Sequence, residues 1–239
     1  HKTRGIVLHQ LPYNDSSVIV HIYTEKFGRQ SYWLSGAHSK RSSQKSSTFQ
    51  PLFLIEIEAY HKPHELQKIK EAYNVPLYSS IPFDIHKTSM ALFISEVLSR
   101  TVREEEANPS LFEFLYNSLL TLDAEKESIS NFHIYFVLRL ARYLGFSPSD
   151  NYSGTDHFFD YHAGTFVSAP PLHKKYLDSV LSEILHVFLS SDYEKCMLIP
   201  LNSATRVLLL SKLLDYYDFH FERAGKILSL QVLKEVYHF

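Results

Sequence analysis

Between Lys26 and Ile55 the chain runs thirty residues without an acidic side chain while carrying Lys26, Arg29, Lys40, Arg41 and Lys45. Phe27, Tyr32, Trp33 and Phe49 are interleaved with them. Cations attract phosphates without regard to sequence, by releasing condensed counterions. Aromatic faces offer unstacked bases about 1–3 kcal/mol each. The combination points to a surface that handles single-stranded nucleic acid; the plainer alternative is a solvated basic loop beside core aromatics. Arg29, Lys40 and Arg41 are the first choices for DNA contacts, with Lys45 and Arg4 behind them.

A second constellation lies at 129–145. Arg139 and Arg142 stand at i, i+3 among Phe136, Leu140 and Tyr143. Cations on an otherwise apolar helix need solvent or an anionic partner. A greasy groove with an arginine rim suits a peptide carrying acidic residues and a terminal aromatic; pairing with Glu183 or Asp215 is the alternative. A third set is Asp150, Asp156, His157, Asp160, His162 and His173. Zinc favours Cys or His at tight spacing, and His157 and His162 sit in a Gly/Ser context, so no metal site is expected. There is no GxSxG, glycine-rich phosphate loop, HExxH or CxxC, and an enzyme is not expected. The lone Cys196, beside Met197 and Leu198, reads as a buried small apolar residue.

These residues need elements to hold them. Period-2 runs at Thr3–Gln10, Ser16–Thr24, Gly28–Ser35, Pro51–Tyr60 and Leu66–Asn74 predict five strands, the number a small closed barrel of the OB type requires. Val18, Val20 and Ile22 share one face of the second strand; Ile55, Ile57 and Ala59 share one face of the fourth. On the third strand Tyr32 and Trp33 point oppositely, one to the core and one to solvent. After Pro82 the period becomes helical: Met90, Phe93, Ile94, Val97, Leu98 and Thr101 form an amphipathic stripe. Further helices are expected at 109–123, 129–145, 172–190 and 202–217, with a short last one opening at Ser229. Helix starts are read at Asn108-Pro109 and Ser128, and a stop at Gly145. The 129–145 and 202–217 helices, apolar nearly all round, are expected to be central. A Gly/Ser/Asp/Pro-rich insert, 146–172, holds one strand-like stretch, Gly164–Ser168.

The fold class expected is therefore α+β with two domains: a β-barrel at 1–78 and an α-helical bundle at 79–239. Charge divides the same way. Residues 1–78 hold ten Lys/Arg and six Asp/Glu, a net of +4, so the remaining fourteen and twenty leave −6. A basic module joined to an acidic one fits a nucleic-acid binder better than the overall −2 does. One cysteine allows no intramolecular disulfide. The start reads as strand rather than signal peptide, and the most apolar stretch, Val207–Leu214, is far short of the roughly 20 residues of a membrane span. A soluble, cytosolic protein is expected.

The blocks Thr3-Arg4-Gly5-Ile6-Val7-Leu8, Asp15-Ser16-Ser17, Thr24-Glu25-Lys26-Phe27-Gly28-Arg29, Gly36-Ala37-His38-Ser39-Lys40 and Phe49-Gln50-Pro51-Leu52 resemble the RecO family of bacterial recombination mediators. Leu138-Arg139-Leu140, Leu144-Gly145-Phe146-Ser147-Pro148, Lys226-Ile227-Leu228-Ser229-Leu230 and Val232-Leu233 continue the likeness in order. The resemblance implies an OB-fold domain followed by a helical domain and a non-enzymatic role in recombinational repair. It implies binding of single- and double-stranded DNA, annealing of complementary strands, engagement of the acidic C-terminal tail of the single-stranded DNA-binding protein and, together with RecR, help for RecA in loading onto coated DNA. Many members carry two CxxC pairs in a zinc ribbon after the Leu-Gly-Phe-x-Pro segment. Here the insert has no cysteine, which implies a degenerate ribbon without zinc or other cofactor. Two other readings compete: an OB barrel that binds protein rather than DNA, and a metal-dependent nuclease using His157 and His162.

Overall fold

The alternating segments of the first third become five strands: β1 (Lys2–Asn14), β2 (Ser17–Thr24), β3 (Gly28–Ser35), β4 (Leu54–Ala59) and β5 (Gln67–Asn74). The computed structural model describes residues 1–15, 17–35, 46–60, 66–75, 78–127, 129–155, 157–221 and 225–237, Ser46 by its backbone alone. β1 pairs antiparallel with both β2 and β4, and β3 runs parallel to β5, so the order β1-β2-β3-β5-β4 closes on itself. This is the OB-type barrel expected, closed by a short parallel pairing of Tyr32 with Gln67 and Trp33 with Lys68. Val18, Val20 and Ile22 point inward with Ile55, Ile57 and Ala59, and Tyr32 joins them. Where β1 passes between β2 and β4, a Cβ on Gly5 would lie 2.6 Å from the Ile22 side chain, so this crossing needs glycine.

Two helices pack with the barrel. α1 (Ile85–Thr101) is capped by Asp84, whose carboxylate accepts from the His86 and Lys87 amides. Its predicted stripe is buried throughout, and Ser95 Oγ donates to the Leu8 carbonyl of β1 at 2.9 Å. α2 (Pro109–Ala124) ends at a clamp. Asp123 accepts backbone N–H bonds from Ser79, Ser80 and Ile81 at 2.8–2.9 Å. The buried Lys87 ammonium reaches the Asp123 carbonyl at 2.9 Å. The barrel and both helices thus form one compact unit, His1–Ala124; Glu125–Phe239 is the other. Residue 78 marks where strands give way to helices, whereas compactness divides the chain after α2.

The second unit is built on α3 (Phe132–Tyr143), which is buried along most of its length. α4 (Ser179–Ser190), α5 (Tyr193–Leu198), α6 (Ser203–His220) and α7 (Ser229–Val236) complete its helices among the described residues. Gly145, at φ +86°, follows α3 in a conformation that L side chains rarely adopt. α3 is central as expected. α6 is not: it buries Leu209, Leu210, Leu213, Tyr216 and Tyr217 along one face and leaves Leu208 exposed. α4 starts at Ser179, not 172, because Asp178 caps it and the preceding residues pair as a strand. That strand, β8 (Tyr176–Leu177), and β7 (Thr165–Val167) flank β6 (Phe158–Asp160). The 146–172 insert therefore contributes two of three strands of a small sheet. The start expected at Ser128 lies outside the described residues.

Candidate nucleic-acid interface and partner groove

Arg29 is the second residue of β3, and its guanidinium turns to α1. Nη1 donates to the carbonyls of Ser99 and Val102, both at 2.9 Å, at the helix C-terminus where a cation is favoured. Its backbone N–H meets the Glu104 carbonyl at 2.8 Å. Burial, then the nearby Arg103, lowers its pKa. The adjacent Gly28, at φ +63°, lets the backbone of Glu104 and Glu106 lie directly against it. Arg4 is engaged in the same way. It holds Glu25 through Nε and Nη2 at 3.0 and 2.9 Å, and it pairs with Glu113 of α2. It also stands over the rings of Phe112 and Tyr116 at 5.2 and 5.0 Å. The hydrogen bond to Glu25 raises its pKa, against burial and with help from Glu113. Both arginines thus fasten the barrel to its helices. Lys40, Arg41 and Lys45 lie outside the described residues.

On β3, Tyr32 is the aromatic that enters the core, 1% exposed. Trp33 faces outward, half-buried, with Lys68 Nζ 5.5 Å over its ring. Elsewhere on the barrel a groove of about 300 Å³ sets Glu25, Glu56, Glu58 and Glu71 against Lys2, Arg4 and Lys26. That balance of charge does not gather phosphates.

The helical unit carries a groove of about 190 Å³ whose walls include Tyr135, Leu138, Arg139, Arg142, Pro148 and Phe188. The expected arginine rim is present. The apolar wall differs from the one expected: Phe136 and Leu140 do not line the groove, whereas half-buried Tyr135 does, together with one edge of the largely buried Leu138 and Phe188. A step of one residue turns a helix by about 100°, so Phe136 and Leu140 face away from Arg142. Tyr135, Leu138, Arg139 and Arg142 are an i, i+3, i+4, i+7 set, and that spacing was the signal available in the sequence. The two arginines differ. Arg139 donates to the Ser191 carbonyl at 2.7 Å and lies 5.2 Å over the Tyr135 ring. Arg142 is exposed, and among the described residues it forms no ion pair. Asp150, also on the groove, is paired with His186 Nδ1 at 2.6 Å.

The histidine-bearing insert gathers rings rather than donors. His162 stacks on His173 at 4.0 Å and on Phe219 at 4.5 Å, and His173 Nε2 lies 3.3 Å from Asp160. Face-to-face imidazoles direct their nitrogens into parallel planes instead of at one point. Among the described residues no three His, Cys, Asp or Glu side chains are placed to share a metal ion. Asp156 lies outside them. The insert also lacks the CxxC pairs with which the resemblance implies zinc in many relatives. Cys196 is free and buried, as expected.

Comparison with known proteins accounts for both halves. The family described as "Recombination protein O N terminal" matches residues 1–77, and "Recombination protein O C terminal" matches residues 82–228. A DNA repair protein RecO from Bacteroides fragilis is 42% identical over 239 residues, covering 99% of this chain and 98% of that protein. The RecO protein of Phocaeicola vulgatus is 39% identical over 237 residues, and that of Flavobacterium psychrophilum 36% over 242, with the same coverage. With its OB-type barrel ahead of a helical unit, and with relatives matched along almost its full length, the chain belongs to the RecO family of DNA repair proteins.

Proposed function

We propose that this protein is a non-catalytic recombination mediator. It binds single- and double-stranded DNA, anneals complementary strands and, with RecR, helps RecA load onto DNA coated by the single-stranded DNA-binding protein. The observation that carries this reading is that relatives named for DNA repair align with barrel and helical unit alike. In this reading DNA follows the barrel side of the first unit, with Lys40, Arg41 and Lys45 supplying phosphate contacts. The acidic tail of the single-stranded DNA-binding protein enters the α3 groove, its aromatic end against Leu138 and Phe188 and its carboxylates at Arg142. Neither zinc nor another cofactor takes part, and the protein works in the bacterial cytoplasm on nucleoid DNA. No helix among the described residues is long and apolar enough to cross a membrane. The engagement of Arg4 and Arg29 within the first unit favours a second reading, in which the barrel binds protein instead.

Annealing of two dye-labelled complementary strands, bare or coated by the single-stranded DNA-binding protein, tests the proposal. Acceleration of both reactions supports the mediator. Annealing at the uncatalysed rate, with no DNA bound, supports the scaffold.

A further inference from the structure

The register of the barrel sets four outward positions side by side across four strands: Leu11 opposite Ile19, Ile19 opposite Trp33, and Trp33 opposite Lys68. We propose that this row is a single-nucleotide subsite for single-stranded DNA, in which a base stacks on the Trp33 indole and Lys68 takes the adjoining phosphate. The proposal rests on the reading of the protein as a DNA binder.

Three observations carry it. The row is open at its ends and half-buried at its centre: Leu11 is 48% exposed, with Tyr13 beside it 62% exposed, Lys68 is exposed, and Ile19 and Trp33 each keep part of their surface in solvent. The adjoining outward strips are occupied within the first unit. His9 and His21 stack at 4.4 Å, and Ser99 of α1 meets His9 at 2.8 Å. Tyr23 lies on Phe112 of α2 at 6.3 Å. The charge, finally, is complementary to a phosphodiester chain. Lys68 Nζ stands 5.5 Å over the indole, and among the described residues it forms no ion pair, whereas Lys70, two residues on, is held by Glu58 at 2.9 Å. β3 itself leads from Trp33 into the segment that bears Lys40, Arg41 and Lys45. Tryptophan offers the largest stacking face of any side chain, and an ammonium beside it adds attraction for the phosphate without selecting a base. The occupant is therefore a single strand read without sequence preference; a duplex keeps its bases stacked inside.

The chain has one tryptophan, so its emission reports this row alone. An end-labelled oligothymidylate is titrated with the full chain while label anisotropy and tryptophan emission are recorded together. Quenching that follows the anisotropy curve is expected. Trp33→Ala should weaken binding about 5–150-fold, the equivalent of one lost base stack. Trp33→Phe, which keeps a ring and controls for folding, should stay within a few-fold of the parent. Lys68→Ala should flatten the log–log salt slope by about 0.7. Anisotropy that rises without quenching, with Trp33→Ala binding as tightly as the parent, overturns the subsite and leaves the DNA-binding reading intact. No rise in anisotropy overturns both. Emission that shifts with protein concentration in the absence of DNA assigns the row to a second copy of the chain, and that too overturns the proposal.

Discussion

Arg139 and Arg142 lie three residues apart on one groove, yet their substitution should have different consequences. Arg139→Ala removes a 2.7 Å charged hydrogen bond to the Ser191 carbonyl at the end of α4 and a guanidinium stacked over Tyr135. The first is worth about 1.5 kcal/mol and the second about 0.5–1 kcal/mol at a half-exposed site. A loss near 2 kcal/mol should lower the melting temperature by about 4–8 °C in a chain of this size. Arg142 is exposed and forms no ion pair among the described residues, so Arg142→Ala should alter stability by less than about 0.5 kcal/mol. If its guanidinium receives a carboxylate of the acidic tail, the same change should weaken a peptide rich in Asp and ending in Phe by about 1.5–3 kcal/mol, roughly 10–150-fold. Anisotropy of the labelled peptide and thermal melting of each full-length variant measure the two quantities. Peptide affinity unaltered in Arg142→Ala would remove this groove from the account. A melting loss in Arg142→Ala equal to that of Arg139→Ala would refute the division of roles.

Further outcomes follow from the first unit and the insert. His9 is held with a pKa of about 4, by burial first and then by His21 and Arg29. As pH falls from the ordinary 6.5, the unfolded chain takes this proton before the folded one does. Stability from His9 is complete above about 6.5 and is lost between there and 4, so His9→Asn should flatten the stability profile from urea melts in that window. Asp123, despite opposing burial, is held below its ordinary 3.8 by the amides of Ile81, Ser79 and Ser80. Asp123→Ala should therefore cost about 1.5–3 kcal/mol at pH 7, and its deficit in urea melts should shrink as pH falls below about 4. Elemental analysis should find no stoichiometric zinc, and chelators should leave the melting temperature unchanged; one zinc per chain would contradict the reading of the insert.

Much of the barrel was legible because a half-buried strand writes its orientation into alternate residues. Ile55, Ile57 and Ala59 turned inward as their spacing required, and β3 matched its predicted limits. Elements too short to show a period were not legible: β6 and β8, of three and two residues, and the six-residue α5. The extent of the first unit depended on contacts across long stretches of chain. Ser95 of α1 bonds Leu8, eighty-seven residues earlier, and no local pattern encodes that. The same distance explains Arg4 and Arg29. Their charge was visible, but the partners that engage them are 109 residues away for Glu113 and 70 for Ser99. At the α3 groove the arginine rim was readable and its wall was not. Phe136 and Tyr135 are both aromatic, and only the packing of the second unit decides which one turns inward.

Salt dependence of DNA binding separates a phosphate-binding mediator from a barrel that binds only protein. The full chain is titrated onto a labelled single strand at several salt concentrations, alongside a Lys40→Ala/Arg41→Ala variant. If three to five cations contact the strand, the log–log slope should be about −2 to −3.5, and the double variant should lose about 1.4 of it for every sequence tried. Absent binding, or affinity that does not change with salt, would contradict the account of this protein as a DNA-binding recombination mediator.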